Sequence, residues 1–270
     1  MGKVILITGC SSGMGKQSAQ YLASCGFIVY AGSREPSKIT PSKNLIPIKL
    51  DVTKSQTINS AIQTICEKHK KIDVLVNNAG YGLVSTVEDL DEEEMFNQYN
   101  INVFGLLRVC KSVIPVMREA NSGVIINISS FLGKIGLPLL SLYNSSKYAV
   151  EGITDSLRYE LSEFNIRVHS IMPGFFNTQF ARENLVTNLH TFDKESAYAN
   201  IVSKLAPVIV DEINSGNDAK EVALKIEEII GNDNFPARVT VGDKAKKFIP
   251  MKKELSDEDF ERRVREYYGI

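Results

Sequence analysis

The chain has 270 residues, of which 43% are hydrophobic and 23% are charged, and its formal net charge is −1. This composition is that of a globular protein long enough to bury a full core, and it excludes an intrinsically disordered chain. The near-neutral charge gives no electrostatic reason to expect nucleic acid as a partner.

The apolar run near the N-terminus is too short for a signal peptide or a membrane span. The four cysteines are scattered, without a Cys-x2-Cys pair, and the three histidines show no ligand spacing. We therefore expect a cytoplasmic protein with reduced thiols, no transmembrane segment and no metal site.

Short apolar runs rich in β-branched residues alternate with longer stretches of helical periodicity. The runs predict strands at 3–8, 27–31, 46–50, 74–76, 124–128, 167–171 and 238–241. The longer stretches predict helices at 13–24, 55–68, 92–117, 141–163 and 219–230, the third of them broken near Asn100. Continuous apolar strands are typical of a parallel sheet covered on both faces. The alternation predicts an α/β fold: a Rossmann-type, doubly wound parallel sheet of about seven strands with helices on both faces.

The pattern changes after Met172. Residues 173–216 show helical periodicity without a clear strand, and the charged segment 250–270 predicts a short helix. With no linker or repeat to divide the chain, we expect one domain over 1–270, with a distinct segment at 175–215 and a C-terminal tail at 243–270.

A glycine-rich turn follows the first predicted strand, running from Thr8 to Gly15 with the pattern Gly-x3-Gly-x-Gly. Glycines let the backbone turn sharply and approach a ligand, and a helix N-terminus presents amide groups to a pyrophosphate. The spacing differs from the general dinucleotide fingerprint, so a turn that serves packing alone is the alternative.

Tyr143 and Lys147 are four residues apart in a predicted helix, and they therefore share a face. An ammonium beside a phenol favours the ionised phenol, which is one way to obtain a general acid/base near neutral pH. A Tyr-x3-Lys spacing also arises by chance, so the pair needs support from other motifs.

Several motifs together resemble the short-chain dehydrogenase/reductase family. They are the glycine turn, Asn77–Gly80, Asn102, Ser130 thirteen residues before Tyr143, Lys147, and Pro173 with Gly174. Their order and spacing match that family over residues 3–242. The 175–215 segment and the ending 236–242 resemble the branch of 17β-hydroxysteroid and retinol dehydrogenases.

The resemblance implies a catalytic set of Asn102, Ser130, Tyr143 and Lys147. Tyr143 would exchange a proton with the substrate oxygen, and Ser130 would polarise that oxygen. Lys147 would lower the pKa of Tyr143 and hold the nicotinamide ribose, and Asn102 would anchor a water that links Lys147 to solvent. Ser129 is the competing serine, and the thirteen-residue spacing favours Ser130.

The implied cofactor is a nicotinamide dinucleotide. Ser33 stands where an NAD enzyme would carry an aspartate, and Arg34 follows it; an arginine suits the 2′-phosphate of NADP. We expect NADP(H) to be preferred over NAD(H), although a shift of one position would make Glu35 an acidic reader of the ribose. The expected cofactor-binding residues are Gly9, Ser11, Ser12, Gly13, Met14, Gly15, Arg34, Asp51, Val52, Asn78, Ala79, Gly80, Tyr143, Lys147, Pro173, Gly174, Phe176 and Thr178.

The expected substrate is a small lipophilic ketone, aldehyde or secondary alcohol, of steroid, retinoid or aliphatic type. Beside the catalytic Ser130 and Tyr143, the apolar residues expected to bind it are Leu137, Leu140, Phe175 and Phe180, and 175–215 is the expected substrate-binding segment. The alternative is that these apolar residues pack a loop or a subunit contact.

Two other functions stay open from sequence. One is a 3-oxoacyl-carrier-protein reductase, and the other is a non-catalytic dinucleotide sensor, although a sensor would usually lack the tyrosine or the lysine. The helices 102–117 and 141–163 resemble those through which the family dimerises, so we expect a homodimer or homotetramer.

Overall fold

The computed structural model describes residues 2–178 and 185–270. The strands of the described residues are β1 Val4–Thr8, β2 Ile28–Ser33, β3 Leu45–Lys49, β4 Val74–Asn77, β5 Gly82–Val84, β6 Gly123–Ile128, β7 Ile166–Pro173, β8 Phe176–Asn177, β9 Leu185–Thr187, β10 Asn217–Asp218 and β11 Arg238–Val241. Seven of them form one parallel sheet in the spatial order β11-β7-β6-β4-β1-β2-β3. Each of the seven predicted strands is confirmed, and the doubly wound α/β fold is confirmed with them.

Helices cover both faces of this sheet. They are α1 Gly13–Ser24, α2 Ser55–His69, α3 Glu92–Tyr99, α4 Leu106–Glu119, α5 Ser141–Glu160, α6 Ala199–Asn214, α7 Lys220–Gly231, α8 Asp243–Glu254 and α9 Asp257–Tyr268. Alternate residues of β1 point to opposite faces. Val4 and Leu6 pack with α2, α4 and α5, whereas Ile5 and Ile7 pack with α1 and α7. Each such side chain contributes about 1.5–3 kcal/mol by leaving water, which is why the central strands are apolar throughout.

The strand order reverses between β1 and β4, since β1 continues to β2 on one side and β4 to β6 on the other. Parallel strands present their carboxyl ends at one edge, and a crevice opens there where the order reverses. The glycine turn after β1 and the Asn77–Gly80 segment after β4 both lie at this edge.

The third predicted helix is broken, as expected near Asn100. A π-helical turn, Asn100–Gly105, separates α3 from α4. Gly105 allows close packing there, because an added Cβ would lie 2.8 Å from Cγ2 of Val52. Glu92–Glu119 is also the one described stretch with the length and hydropathy of a membrane span. Since α4 packs against the sheet in the apolar cluster that contains Val4 and Leu6, this is weak evidence for a span.

The region after β7 contains more structure than its sequence pattern predicts. Strand β9 pairs with β5, and β10 pairs with β8. The expectation of no clear strand there is wrong, because two or three residues are too few to show a periodicity. The tail forms two helices, α8 and α9, where the sequence predicts one short helix; they pack on α6 in a third apolar cluster that includes Phe248 and Phe260.

Candidate active site

A cavity of about 510 Å³ occupies the crevice between β1 and β4. The glycine turn forms its floor, with Gly9 at φ +72° and Gly13 at φ +55°, both in the left-handed region that favours glycine. The turn is joined to the segment after β4, because the side-chain amide of Asn78 donates to the backbone carbonyls of Thr8 and Gly9 at 2.9 and 3.0 Å. A Cβ on Gly15 would lie 2.3 Å from both Nδ2 of Asn78 and the carbonyl oxygen of Gly9. The absence of a side chain at Gly15 thus lets the glycine turn pack directly against Asn78.

Most of the expected cofactor residues line this cavity. They are Gly9, Ser11, Ser12, Gly13, Met14, Gly15, Arg34, Asp51, Val52, Asn78, Ala79, Gly80, Tyr143, Lys147 and Thr178. Pro173, Gly174 and Phe176 are not among its lining residues. Pro173 pairs with Val241 within the sheet, and Gly174 packs against the start of α8. Phe176 is buried in the apolar cluster that contains Ile5 and Ile7.

Other lining residues were missed by the sequence argument. Tyr81 directly follows the Asn77–Gly80 motif, and Asn97 and Ile101 lie near the break before α4, so proximity to known motifs is the signal that could have found them. Val186 on β9 lies 104 residues beyond Gly82 on β5, and only the pairing of these two strands brings it over the cavity. No local pattern predicts that contact.

Tyr143 and Lys147 stand together at the β6 side of the cavity, on the first two turns of α5. The Lys147 ammonium is buried, donates to the carbonyl oxygen of Ile128 at 2.9 Å, and lies 5.7 Å from the Tyr143 ring centroid. The Ser130 side chain hydrogen-bonds Tyr143 and also accepts from the Leu132 amide at 3.1 Å. Ser130, Tyr143 and Lys147 therefore lie together, and of the three Tyr143 and Lys147 line the cavity while Ser130 does not.

The protonation states differ from the sequence expectation. Burial raises the pKa of Tyr143 to about 12, and the hydrogen bond with Ser130 only partly opposes this rise. Burial also lowers the pKa of Lys147 to about 8, while the Glu151 carboxylate acts in the opposite direction. The expected lowering of the Tyr143 pKa by Lys147 does not appear in the protein alone, because loss of water around the phenol is the larger effect.

Asn102 lies in the π-helical turn and is buried. Its side-chain amide donates to the Tyr81 carbonyl at 2.9 Å and to Oγ of Ser146 at 3.1 Å, and its Oδ1 accepts from the Tyr81 amide at 3.0 Å. These bonds fix the segment after β4 to helix α5. The water that Asn102 is expected to anchor stays a prediction.

The two serines after β6 are distinguished by their contacts. Ser130 bonds Tyr143, whereas the buried hydroxyl of Ser129 has no hydrogen-bond partner among the described residues. The Ser129 hydroxyl faces Gly133, where an added Cβ would come within 2.9 Å of it. The contact with Tyr143 favours Ser130, whereas Ser129 is the one of the two serines that lines the cavity. The assignment of Ser130 as the serine that contacts the substrate oxygen stays a prediction.

The residues at the end of β2 bear on whether the dinucleotide is NAD or NADP. Arg34 is exposed and lines the cavity together with the buried Ser33. Glu35 does not line the cavity; its carboxylate pairs with Lys38 at 3.0 Å, and its amide donates to Oγ of Ser33. The competing assignment of Glu35 as the ribose reader is therefore disfavoured by position.

The residues expected to bind substrate are packed differently. Leu137 and Leu140 are 3% exposed and belong to the third core cluster. Phe175 contacts Phe131 edge to face, with ring centroids 5.3 Å apart, and Phe180 lies outside the described residues. The two leucines pack with residues of α6, α8 and α9 and do not line the described cavity, and their contact with a substrate stays a prediction.

The chain is similar to known proteins in sequence and in fold. The family model described as short chain dehydrogenase matches residues 3–188. A 3-ketodihydrosphingosine reductase of Bacteroides thetaiotaomicron is 37% identical over 269 residues, which cover 99% of this chain and 98% of that protein.

Solved structures have the same fold. A short-chain dehydrogenase from Streptomyces avermitilis has a TM-score of 0.84 at 28% identity, covering 99% of this chain and 96% of the other. ElxO with NADP bound has a TM-score of 0.73 at 26% identity, covering 89% and 97%. Among the similar structures some hold NADP and others hold NAD.

Proposed function

Because the chain belongs to the short chain dehydrogenase family, we propose that it is an NADP(H)-dependent reductase of a lipophilic ketone, with Tyr143 as the proton donor. As a member of that family it is an NAD(P)-dependent oxidoreductase. The family assignment made from the sequence motifs is confirmed, while the hydroxysteroid and retinol branch stays a prediction.

The observation that carries this proposal is the placement of Tyr143 and Lys147 at the wall of the cavity above the glycine turn, with Ser130 hydrogen-bonded to Tyr143. When bound there, the nicotinamide supplies the hydride, which no side chain can provide. The Ser130 hydroxyl donates to the substrate carbonyl oxygen and polarises it. The Tyr143 phenol then gives its proton to that oxygen, and Lys147 supports the developing phenolate.

The protonation state of Tyr143 suits proton donation, the step that carbonyl reduction requires. Since the pKa of Tyr143 is raised to about 12, the phenol carries its proton throughout the neutral range. A protonated phenol can donate to a carbonyl at once, whereas alcohol oxidation would need it deprotonated first. The buried Lys147, with a pKa of about 8, is largely an ammonium at pH 7.

The substrate class follows from the apolar surroundings of Tyr143 and from the Bacteroides relative. Tyr143 packs at the edge of the third apolar cluster together with Phe175, Leu185 and Phe192. A long-chain ketone suits such surroundings, and 3-ketodihydrosphingosine is the first compound to test. We keep 175–215 as the segment that holds the apolar part of the substrate.

The proposal is tested by following NADPH absorbance with 3-ketodihydrosphingosine, a steroid ketone, retinal, a simple aliphatic ketone and a 3-oxoacyl thioester. We expect turnover of the long-chain ketone with NADPH. Faster turnover of the thioester would favour the acyl-carrier-protein reductase. Tight NADPH binding without turnover of any compound would favour the non-catalytic sensor.

The preference for NADP(H) rests on Arg34, so Arg34→Ala is expected to weaken NADPH binding by about 10–100-fold, the range for one or two hydrogen bonds to a charged group. NADH, which lacks the 2′-phosphate, should bind the variant as it binds the wild type. Fluorescence titration measures both affinities. Lys43→Ala is the control, because it removes an exposed cation that does not line the cavity. An unchanged NADPH affinity in Arg34→Ala would assign the phosphate to other residues.

We also infer a homodimer or homotetramer. Exposed aromatic and apolar side chains lie on α3, the π-helical turn, α4 and α5: Phe96, Phe104, Leu107, Tyr148 and Tyr159. Burying them between subunits would remove this apolar surface from water. Light scattering should give a multiple of the 30.0 kDa chain mass, and a monomer at micromolar concentration would contradict the inference. Cytoplasmic localisation stays a prediction.

A further inference from the structure

Helix α5 carries a ladder of ionisable side chains one turn apart on a single face. Tyr143, Lys147, Glu151 and Asp155 follow one another at intervals of four residues. Side chains at this spacing are neighbours along a helix. The first two belong to the proposed catalytic set, and the proposed reaction leaves the other two without a role.

Glu151 is a buried carboxylate, with 3% of its side chain exposed. It accepts a hydrogen bond from Oγ of Ser170 on β7 and a charged hydrogen bond from Nε of Arg238 on β11 at 2.6 Å. Lys134, in the turn after β6, lies 3.5 Å from the same carboxylate. A buried charge is costly unless it is paired and hydrogen-bonded, and here three different elements hold it in place.

The turn of α5 between Lys147 and Glu151 is closely packed. An added Cβ on Gly133 would lie 3.0 Å from the carbonyl oxygen of Lys147 and 3.1 Å from Cγ of Glu151. Gly133 ends the short turn that begins after Ser130. The short turn that follows Ser130 thus packs directly against α5 at Lys147 and Glu151.

We propose that Glu151 is a positioning residue of the active site, and that its carboxylate, held by Ser170 and Arg238, supports the Lys147 ammonium across one turn of α5. This inference rests on the proposed catalytic role of Lys147. Glu151 touches neither the described cavity nor the reacting atoms, so it acts through Lys147 alone.

The other groups around Lys147 leave Glu151 as the anion that acts on it. In the segment after β4 the neighbour is the uncharged Gly80, where an added Cβ would lie 3.8 Å from Nζ of Lys147. On α5 itself, the Tyr143 phenol is neutral at neutral pH. The cations Lys134 and Arg238 lie beyond the carboxylate and partly offset its charge. Among the described residues, Glu151 is the charged group that opposes the burial effect on the Lys147 pKa.

The test measures Lys147 directly in the protein without cofactor. Trace acetylation over a range of pH, read by mass spectrometry of the Lys147 peptide, gives the midpoint at which the amine loses its proton. We expect Glu151→Gln to move this midpoint to lower pH by roughly one unit. Arg238→Gln should move it to higher pH, since it removes a cation and leaves the carboxylate charge less compensated. A structural defect alone would not produce shifts of opposite sign.

Asp155→Asn is the matched control, because Asp155 binds the same arginine at 2.6 Å from a more exposed position. Its midpoint should stay near the wild-type value. A Glu151→Gln midpoint no lower than that of Asp155→Asn would overturn the proposal. If Glu151→Gln does not fold, the Arg238→Gln arm decides, and an unchanged or lowered midpoint there overturns the proposal as well.

Turnover supplies a second readout. Activity that needs the Lys147 ammonium falls as pH rises through the Lys147 pKa, so the alkaline limb of the pH profile should move to lower pH in Glu151→Gln. Failure to find any substrate would remove this readout and count against the proposed function. The acetylation midpoints would still decide the role of Glu151.

Discussion

Replacing Tyr143 with phenylalanine is expected to lower kcat for ketone reduction by about 10²–10⁴-fold, the usual contribution of a positioned general acid. The phenol is the group that hydrogen-bonds Ser130 at the cavity wall, and its raised pKa keeps it protonated and ready to donate. Phenylalanine retains the ring that packs at the edge of the third apolar cluster. Folding and NADPH affinity should therefore stay near the wild-type values. Stopped-flow kinetics and fluorescence titration measure the two quantities separately.

Tyr148→Phe is the matched control for this experiment. Tyr148 lies on the same helix, but it is 46% exposed and does not line the cavity. Loss of its hydroxyl should leave kcat unchanged. Wild-type turnover in Tyr143→Phe would rule out the phenol as proton donor, and equal losses in the two variants would indicate a general defect of α5.

The sheet could be predicted from the sequence because its strands are buried on both faces. Val4–Thr8 is buried at every position, and a continuous apolar run is the signal that such a strand leaves. The glycine turn was equally accessible: Gly9 and Gly13 adopt positive φ angles, and few other residues do so without strain. Local backbone requirements leave local sequence signals.

The substrate side could not be predicted in the same way. Leu137 and Leu140 look like pocket residues in sequence, but the tail helices α8 and α9 and helix α6 bury them. Whether an apolar side chain lines a pocket or fills a core depends on what packs against it. Here the partners are more than sixty residues away in the chain. Val186 shows the converse, since it reaches the cavity only through the pairing of β9 with β5.

The pKa of Tyr143 shows a third limit of sequence reasoning. The spacing of Tyr143 and Lys147 indicates that a cation is near, and this favours the phenolate. It does not indicate how much water surrounds the phenol, and in the folded protein burial has the larger effect. Spacing identified the acid/base pair, whereas its protonation state depended on tertiary packing.

Gly15→Ala is expected to weaken cofactor binding more severely than an alanine substitution at any other glycine of the turn. Its Cβ would lie 2.3 Å from both the Asn78 amide nitrogen and the Gly9 carbonyl oxygen, which are themselves hydrogen-bonded at 3.0 Å. Real Cβ atoms do not approach so closely, so Asn78 must leave Thr8 and Gly9 or the turn must move. Either change displaces the backbone that would face the pyrophosphate. Overpacking of this kind costs about 1–3 kcal/mol of folding stability.

Two measurements check this expectation: the NADPH dissociation constant should rise by more than about 10-fold, equivalent to about 1.4 kcal/mol, and the thermal midpoint should fall. The matched control is Gly152→Ala on α5, where an added Cβ meets nothing within 4 Å. Alanine is favoured over glycine inside a helix by about 0.5–1 kcal/mol, so that variant should bind NADPH normally and unfold at a slightly higher temperature. Opposite changes from the same chemical substitution would show that contact at the turn, not loss of glycine flexibility, controls cofactor binding. Normal NADPH affinity in Gly15→Ala would mean that the turn can widen, and the pyrophosphate would then have to be held elsewhere.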